Sequence, residues 1–507
     1  MKTLKKISTI VIVLIFVLFQ AAAQDDYESL FADTTADTTV QGDSDSDFST
    51  GQGFKLSLSG EHIFIFHAPI SKDYINFDSY IKSPKFKNEL GIEISFKTLE
   101  LVSYWNLDLV MNEWGNWDRI LEAYPGENYI AWSPWKFNLS AGFQEFSWGT
   151  GDGINPTDNV NPLDYRLGFG AEKLPVLSAY AGFYPVDFLS LEVIYVPYEQ
   201  ADKFETSISS ELSSAFSDKG LSLTVTENSP EYDFTSFTLG GKVNFFLQYI
   251  DFSISYMYNL DSAYTADMEL TNYTFYYAPS NIKLNKKRLH HFGADFKTNA
   301  GIFGLWGEVC YTMSEDYTMS SYEIRNHSLS WVTGFDFNYG PNDDFYFNFQ
   351  YTGTFIPGFD DQFYNDYTDG EPKLMESKSY YNEYYYRFMT NYLGGVTEGL
   401  YQGIITNFEW PVLKQLLTPS ITAAYFLPLI YDYDEEIRYG SMIIKPELDI
   451  MPFDSFHIVL GADLFFAWYK QKHETIELNK TEKIGQYFKD NNIYLEIRYK
   501  WGFDLEK

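Results

Sequence analysis

The run FSWGTGDGINPTDNVNPLDYR, residues 146–166, concentrates three glycines, two Asn-Pro steps and three aspartates. Side chains able to meet a solute are Trp148, Asp152, Asn155, Asp158, Asn161, Asp164, Tyr165 and Arg166. Acid-base or nucleophilic catalysis would need a base and a nucleophile in reach of each other. The run has no histidine, no cysteine and no serine after Ser147, so it supplies neither. Calcium takes several oxygens from one compact loop. Asp152, Asp158 and Asp164 stand six residues apart with Pro156 and Pro162 between them, which suits no such loop. The Asn-Pro steps force extended backbone or turns, and the glycines allow positive φ or close approach. The run therefore predicts an ordered loop rather than a catalytic or metal site.

The remaining chain offers no better chemistry. Its histidines are 62, 67, 290, 291, 327, 457 and 473, with no Gly-x-Ser-x-Gly elbow and no His-Glu-x-x-His. His290 and His291 are neighbours in a strand pattern, so they point to opposite faces and cannot share a metal. The acidic stretches 359–371 and 431–436 carry many oxygen ligands without EF-hand order. Solvated loop charge explains them, with divalent bridging to anionic lipid headgroups as the alternative. The expectation is a non-enzyme without metal or cofactor.

The elements that position the loop follow from the chain's start and its periodicity. Residues 1–23 place Lys2, Lys5 and Lys6 before an apolar run and end in small residues at Ala23. That is the order of a secretory signal peptide, cleaved near Ala23. Cys310 is the only cysteine, which excludes an internal disulfide and a lipid anchor at the cleavage point. Residues 24–52 are acidic and poor in apolar groups, and predict a disordered periplasmic tail. The net charge of −34 becomes about −37 once the three leader lysines are gone, which argues against a nucleic-acid partner. Aromatic residues make up 19% of a chain whose mean hydropathy is only −0.26.

Alternation shows where those rings go. Leu90, Ile92, Ile94 and Phe96 alternate with Gly91, Glu93 and Ser95. Phe252, Ile254, Tyr256, Tyr258 and Leu260 share one face, as do Leu329, Trp331, Phe335 and Phe337. Phe345, Phe347, Phe349, Tyr351, Gly353 and Phe355 repeat the pattern. Period two means strands with one apolar and one polar face. About eighteen such segments can be read, sixteen being the nearest alternative, each near the length a tilted membrane strand needs. Tight turns at 98–100, 185–187, 298–301, 340–343 and 452–455 alternate with long polar loops at 68–86, 148–175, 198–233, 262–286, 356–393 and 471–491. A soluble sandwich has no reason to sort its loops by length. The prediction is an all-β transmembrane antiparallel barrel over 53–503, with short periplasmic turns and long extracellular loops.

The last strand ends at Phe503, followed by the extension 504–507. Its aromatic end resembles the targeting strand of bacterial outer-membrane proteins. This implies the bacterial outer membrane as location, outer-membrane lipid as surroundings and the assembly machinery as a partner. The loop motif, Trp148-Gly149-Thr150-Gly151-Asp152 and then Asp158 to Asp164, resembles the W-G-x-G-D and D-x-x-N-P-x-D signatures of a poorly characterised family of outer-membrane barrels. Members of that family are linked loosely with alginate-export-like porins and with movement of hydrophobic compounds. The resemblance singles out Trp148, Asp152, Asp158, Asn161, Pro162 and Asp164.

The expected function is a porin-like channel or facilitator for small solutes, with 148–166 as a constriction across the barrel. Lys55, Glu61, Glu93, Asp108, Glu192, Glu308, Asp336, Lys445, Glu447, Asp449, Glu496, Arg498 and Lys500 fall on the lumen face, and acids outnumber bases, which predicts cation preference. The alternative is a non-transporting barrel whose Tyr-rich loops bind a partner or surface polysaccharide. The densest such stretch, YYNEYYYRF at 380–388, otherwise reads as part of an aromatic interface belt.

Overall fold

The structure is a computed structural model that describes residues 54–70, 82–113, 116–151, 153–164, 172–203, 208–217, 223–228, 234–340, 345–359, 375–394, 396, 399–427, 438–470, 477–478 and 491–506. The expected leader, the expected tail, both acidic stretches apart from Phe359, and Asp152, Tyr165 and Arg166 lie outside the described residues.

Eighteen long strands pair antiparallel with their sequence neighbours and close on themselves. They are β1 (Phe54–Pro69), β2 (Lys82–Phe96), β3 (Leu99–Glu113), β4 (Asn116–Trp132), β5 (Phe137–Gln144) and β6 (Val176–Val186). Next come β7 (Leu189–Val196), β8 (Thr238–Phe246), β9 (Asp251–Tyr273), β10 (Tyr276–Ala300), β11 (Phe303–Ser314) and β12 (Ser328–Tyr339). The last six are β13 (Phe345–Phe355), β14 (Leu400–Glu409), β15 (Leu417–Leu427), β16 (Arg438–Phe453), β17 (Phe456–Lys470) and β18 (Asn492–Glu506). Closure is the β1–β18 pairing, which runs from Lys55 opposite Glu506 to Pro69 opposite Asn492. β18 thus continues past Phe503, with Asp504 opposite Ser57. A closed sheet leaves no unpaired edge, the condition for strands in lipid.

The alternation read from sequence sets inside and outside. Ile92, Trp105, Ile130, Val193 and Ile254 point outward and stay exposed although nothing polar covers them, Ile254 at 57%. Exposure on this scale around a closed sheet is the surface of a barrel in lipid. The belt of interfacial aromatics sits at the tight-turn end, where Trp135, Phe188, Tyr249, Tyr339, Trp410 and Phe453 are exposed in or beside the connections. These turns need positive φ, supplied by Gly301 at 68° and by Lys97 at 57°.

Three expectations are corrected. The span 262–286 is not a loop: β9 and β10 run for 23 and 25 residues and join at Tyr273–Tyr276, far beyond what a bilayer requires. Its alternating apolar residues face other protein instead of lipid, which a count of polar residues hides. The stretch 380–388 is not an interface belt but part of a helix, α2 (Lys378–Leu393), capped by Ser377, which accepts from the Tyr380 N–H at 3.3 Å. The strict alternation of short and long connections also fails once: β3 and β4 are joined on the long-loop side with Glu113 already paired to Asn116.

Above the barrel, α2 packs on the projecting hairpin with a shorter helix, α1 (Ile208–Ser217). A short strand, Thr224–Glu227, runs parallel to Asn281–Leu284 of β10 and extends this platform. Tyr381, Met389, Ile282, Leu284, Met268 and Leu212 form its apolar core. The Met268 N–H donates to the Tyr386 hydroxyl at 3.1 Å. The result is a small roof beside the barrel mouth.

Candidate functional site: the inward loop and the lumen cavity

The chain leaves β5 at Gln144, turns inward, and regains the wall at Val176. Its base is stitched by one amide. Asn161 accepts from the Phe146 N–H at 2.8 Å and donates to the carbonyls of Gln144 and Leu174 at 3.1 and 2.9 Å. Lys173 adds a second tie, donating to the Phe146 carbonyl and the Ser147 hydroxyl, both at 2.8 Å, and pairing with Asp158 at 2.5 Å. Burial lifts the Asp158 carboxyl above the ordinary aspartate range while Lys173 pulls it down. Leu163–Asp164 pairs with Glu172–Lys173, and the Leu163 N–H donates to Asp202 at 2.8 Å.

Trp148 anchors the loop on the inner wall. It is 3% exposed, packed with Val160, Val176, Ile194, Val196 and Met257, against Phe146 and Tyr180. Ile194 and Met257 belong to β7 and β9 and alternate with outward-facing neighbours, so this apolar cluster lies inside the barrel. The wall yields room with glycine: a Cβ on Gly240 of β8 would stand 2.8 Å from the Trp148 ring.

The tip is held by Glu308 of β11. The backbone N–H groups of Thr150 and Gly151 donate to its Oε1, and the Thr157 N–H and hydroxyl donate to its Oε2 at 3.4 and 3.0 Å. Gly149 has φ 95°, a conformation that side chains rarely adopt, and a Cβ on Gly151 would meet the Ile154 carbonyl and, at 3.1 Å, Glu308. Gly293 of β10 makes the corresponding room under Thr157, whose Cγ2 would lie 2.9 Å from a Cβ there. The glycine-rich signature is thus a cradle of backbone donors around one wall carboxylate.

Beside the loop opens a cavity of about 950 Å³. The loop contributes Pro156, Asp158, Asn159 and Asn161, the wall His291, Thr312, Ser330 and Gln402, and α2 contributes Arg387 and Asn391. Two ion pairs cross its side: Lys286 with Glu199 at 2.6 Å, and Arg325 with Asp261 at 2.7 Å. His291 reaches Thr312 and Asn259 at 3.0 Å each, while His290 faces outward onto the Tyr256 hydroxyl at 2.8 Å. Cys310 lies 4.0 Å from His291 but is 2% exposed and does not line the cavity. The cavity can hold a polar solute and its water; one oxygen each of Asp158 and Glu199, both of which line it, is buried without a hydrogen-bond partner.

Of the residues singled out in sequence, the structure brings together Trp148, Asn155, Asp158, Asn161 and Asp164. The Asn155 side-chain oxygen lies 3.3 Å from the Thr157 hydroxyl, whose proton goes to Glu308 at 3.0 Å, and Asp164 is 3% exposed. These side chains mostly fasten the loop. Alternation puts Glu308 on the lumen face, but its role as the tip's anchor, like the parts of Lys173, Gly240 and Gly293, follows only from the fold. Glycines on the inward face of otherwise bulky strands were the available signal.

No family model and no curated protein matches the chain. Among solved structures it is similar to OccAB4 of Acinetobacter baumannii, with 9% identity, 90% of this chain and 100% of that chain covered, and a TM-score of 0.45. It is also similar to the outer membrane protein opdK of Pseudomonas aeruginosa, with 8% identity, 89% and 99% covered, and a TM-score of 0.46. OpdO of the same organism gives 8% identity, 89% and 97% covered, and a TM-score of 0.47.

Proposed function

We propose that this chain is an outer-membrane channel for small solutes, cation-preferring, with the segment 148–166 acting as its constriction. The observation that carries the reading is the loop fastened to the inner wall at both base and tip, beside a polar cavity. An eighteen-stranded barrel is wide enough for water to fill unless chain occupies it. Here the loop fills part of the lumen beside the cavity, so passage is narrowed by a fixed element. The inner faces of the strands supply the charge: Glu61, Glu93, Asp108, Glu192, Glu308, Asp336, Glu447, Asp449 and Glu496 against Lys55, Lys445, Arg498 and Lys500 support an excess of cations in the lumen. Export by a cleaved leader and insertion through the β18 end near Phe503 fit the same reading. The non-transporting alternative relied on Tyr-rich loops offered to a partner; Tyr381, Tyr384, Tyr385 and Tyr386 are instead buried in the roof, which weighs against it.

Replacing 150–164 by a short Gly-Ser linker tests the proposal. The barrel should remain heat-resistant on a gel, and its single-channel conductance in a planar bilayer should rise. A folded deletion with unchanged conductance would return the loop to a surface role.

A further inference from the structure

By the alternation of β11, Glu308 is one of the acids on the lumen face. The geometry points to a different part: we propose that Glu308 is the latch that holds the constriction closed, a positioning residue and not a pore charge. The inference rests on the channel reading.

Both of its oxygens are spoken for by the loop. Oε1 receives the Thr150 and Gly151 N–H groups and Oε2 receives both donors of Thr157. The residue is 4% exposed, so solvent and passing ions scarcely see it. A carboxylate whose charge is met by four converging donors projects little field into water. Those donors come from a segment 151 to 158 residues earlier in the chain, and the wall around it is shaped to admit them, with Gly293 under Thr157. The base ties at Asn161 and Lys173 fix where the loop starts; Glu308 fixes where its tip rests. Removing the charge leaves backbone donors facing a wall that no longer draws them, and charge-assisted bonds are the strongest ones in this loop.

The two roles predict opposite signs. Neutralising a pore carboxylate lowers cation conductance, whereas releasing a latch raises conductance and adds open-channel noise. Glu308→Gln should roughly double the single-channel current in potassium chloride, because the tip leaves the passage while the base stays tied. Glu308→Asp, which keeps the charge but shortens the reach, should flicker between the two levels. A second variant covers the case in which the first perturbs folding. A Cβ on Gly293 would stand 3.4 Å from the Thr157 Cβ, near the separation of a disulfide, once the Ser255 hydroxyl that it would strike is removed by Ser255→Ala in the same background. Thr157→Cys with Gly293→Cys, in a chain also carrying Ser255→Ala, Cys310→Ser and Glu308→Gln, should conduct like wild type when oxidised and show the raised level after reduction. A fall or no change in the current of folded Glu308→Gln, or a double cysteine insensitive to reductant, overturns the latch. Wild-type protein that forms no channel at all overturns the underlying function instead.

Discussion

Gly240 and Trp148 meet across the barrel interior, the glycine's missing side chain being the space in which the edge of the indole lies. Neither works without the other: the indole needs a flat place on β8, and a bare glycine there needs something to fill it. Gly240→Val would press branched carbons against a ring that is 3% exposed and cannot retreat. Overpacking of this kind costs about 1–3 kcal/mol. The expected outcome is a barrel that still closes but conducts with a displaced loop, read as a raised and noisy current. Trp148→Ala should give a similar current by emptying the apolar cluster, at a cost of about 3–5 kcal/mol to the loop's anchorage.

Asn161→Ala tests the loop base. It removes one acceptor and two donors that serve Phe146, Gln144 and Leu174. Each lost bond that leaves a buried partner unsatisfied costs about 1–3 kcal/mol. Added protease should then cut within 148–164 while the barrel resists. Asn161→Asp, which can still accept but not donate, should fall between the two.

Glu145 gives a pH dependence. It follows β5, is exposed on one side, and donates its N–H to the Glu127 carboxylate at 2.9 Å. Desolvation and then the neighbouring Glu127 push its pKa up to about 7, with Lys173 acting in the opposite direction. For an acid raised from 4.5, the folded state binds the proton more readily than the unfolded one. That contribution to stability is complete below the ordinary glutamate range and is lost as pH rises toward 7. The lumen gains one negative charge across the same interval. Cation over anion permeability, from reversal potentials in a salt gradient, should therefore increase between pH 6 and pH 8, and Glu145→Gln should flatten that increase.

Cation preference itself should be stronger at low salt, where screening is weaker. Anion-selective reversal potentials in dilute potassium chloride would reject the assignment of the lumen faces.

The roof predicts separable stability. Tyr381 is fully buried between α2 and the hairpin, so Tyr381→Ala should cost about 3–5 kcal/mol there. Limited proteolysis should release α2 fragments from the variant and not from wild type, with barrel heat-resistance unchanged. Tyr386→Phe should cost about 1 kcal/mol, the value of its bond from Met268.

The barrel was legible because the side-chain period of a strand is two, and lipid outside with water inside writes that period directly into composition. Leu90 to Phe96 and Phe345 to Phe355 carry it without reference to any distant residue, and about eighteen such runs, short turns between many of them, point to a closed barrel although not to every strand's length. The loop motif was legible as ordered, since glycines and Asn-Pro steps constrain backbone locally. What it leans on was not. Glu308 reads as one more inward acid until the fold carries residues 150 and 157 across the lumen to it, and Gly240 reads as a weak place in a strand until Trp148 lies over it. The Tyr-rich stretch and the hairpin of β9 and β10 misled for the same reason. Rings on a helix buried against strands and rings at a lipid interface have the same composition, and only tertiary contact distinguishes them. Local periodicity is a property of each segment, whereas the partner of a carboxylate or an indole is set by which segments the closed wall brings together.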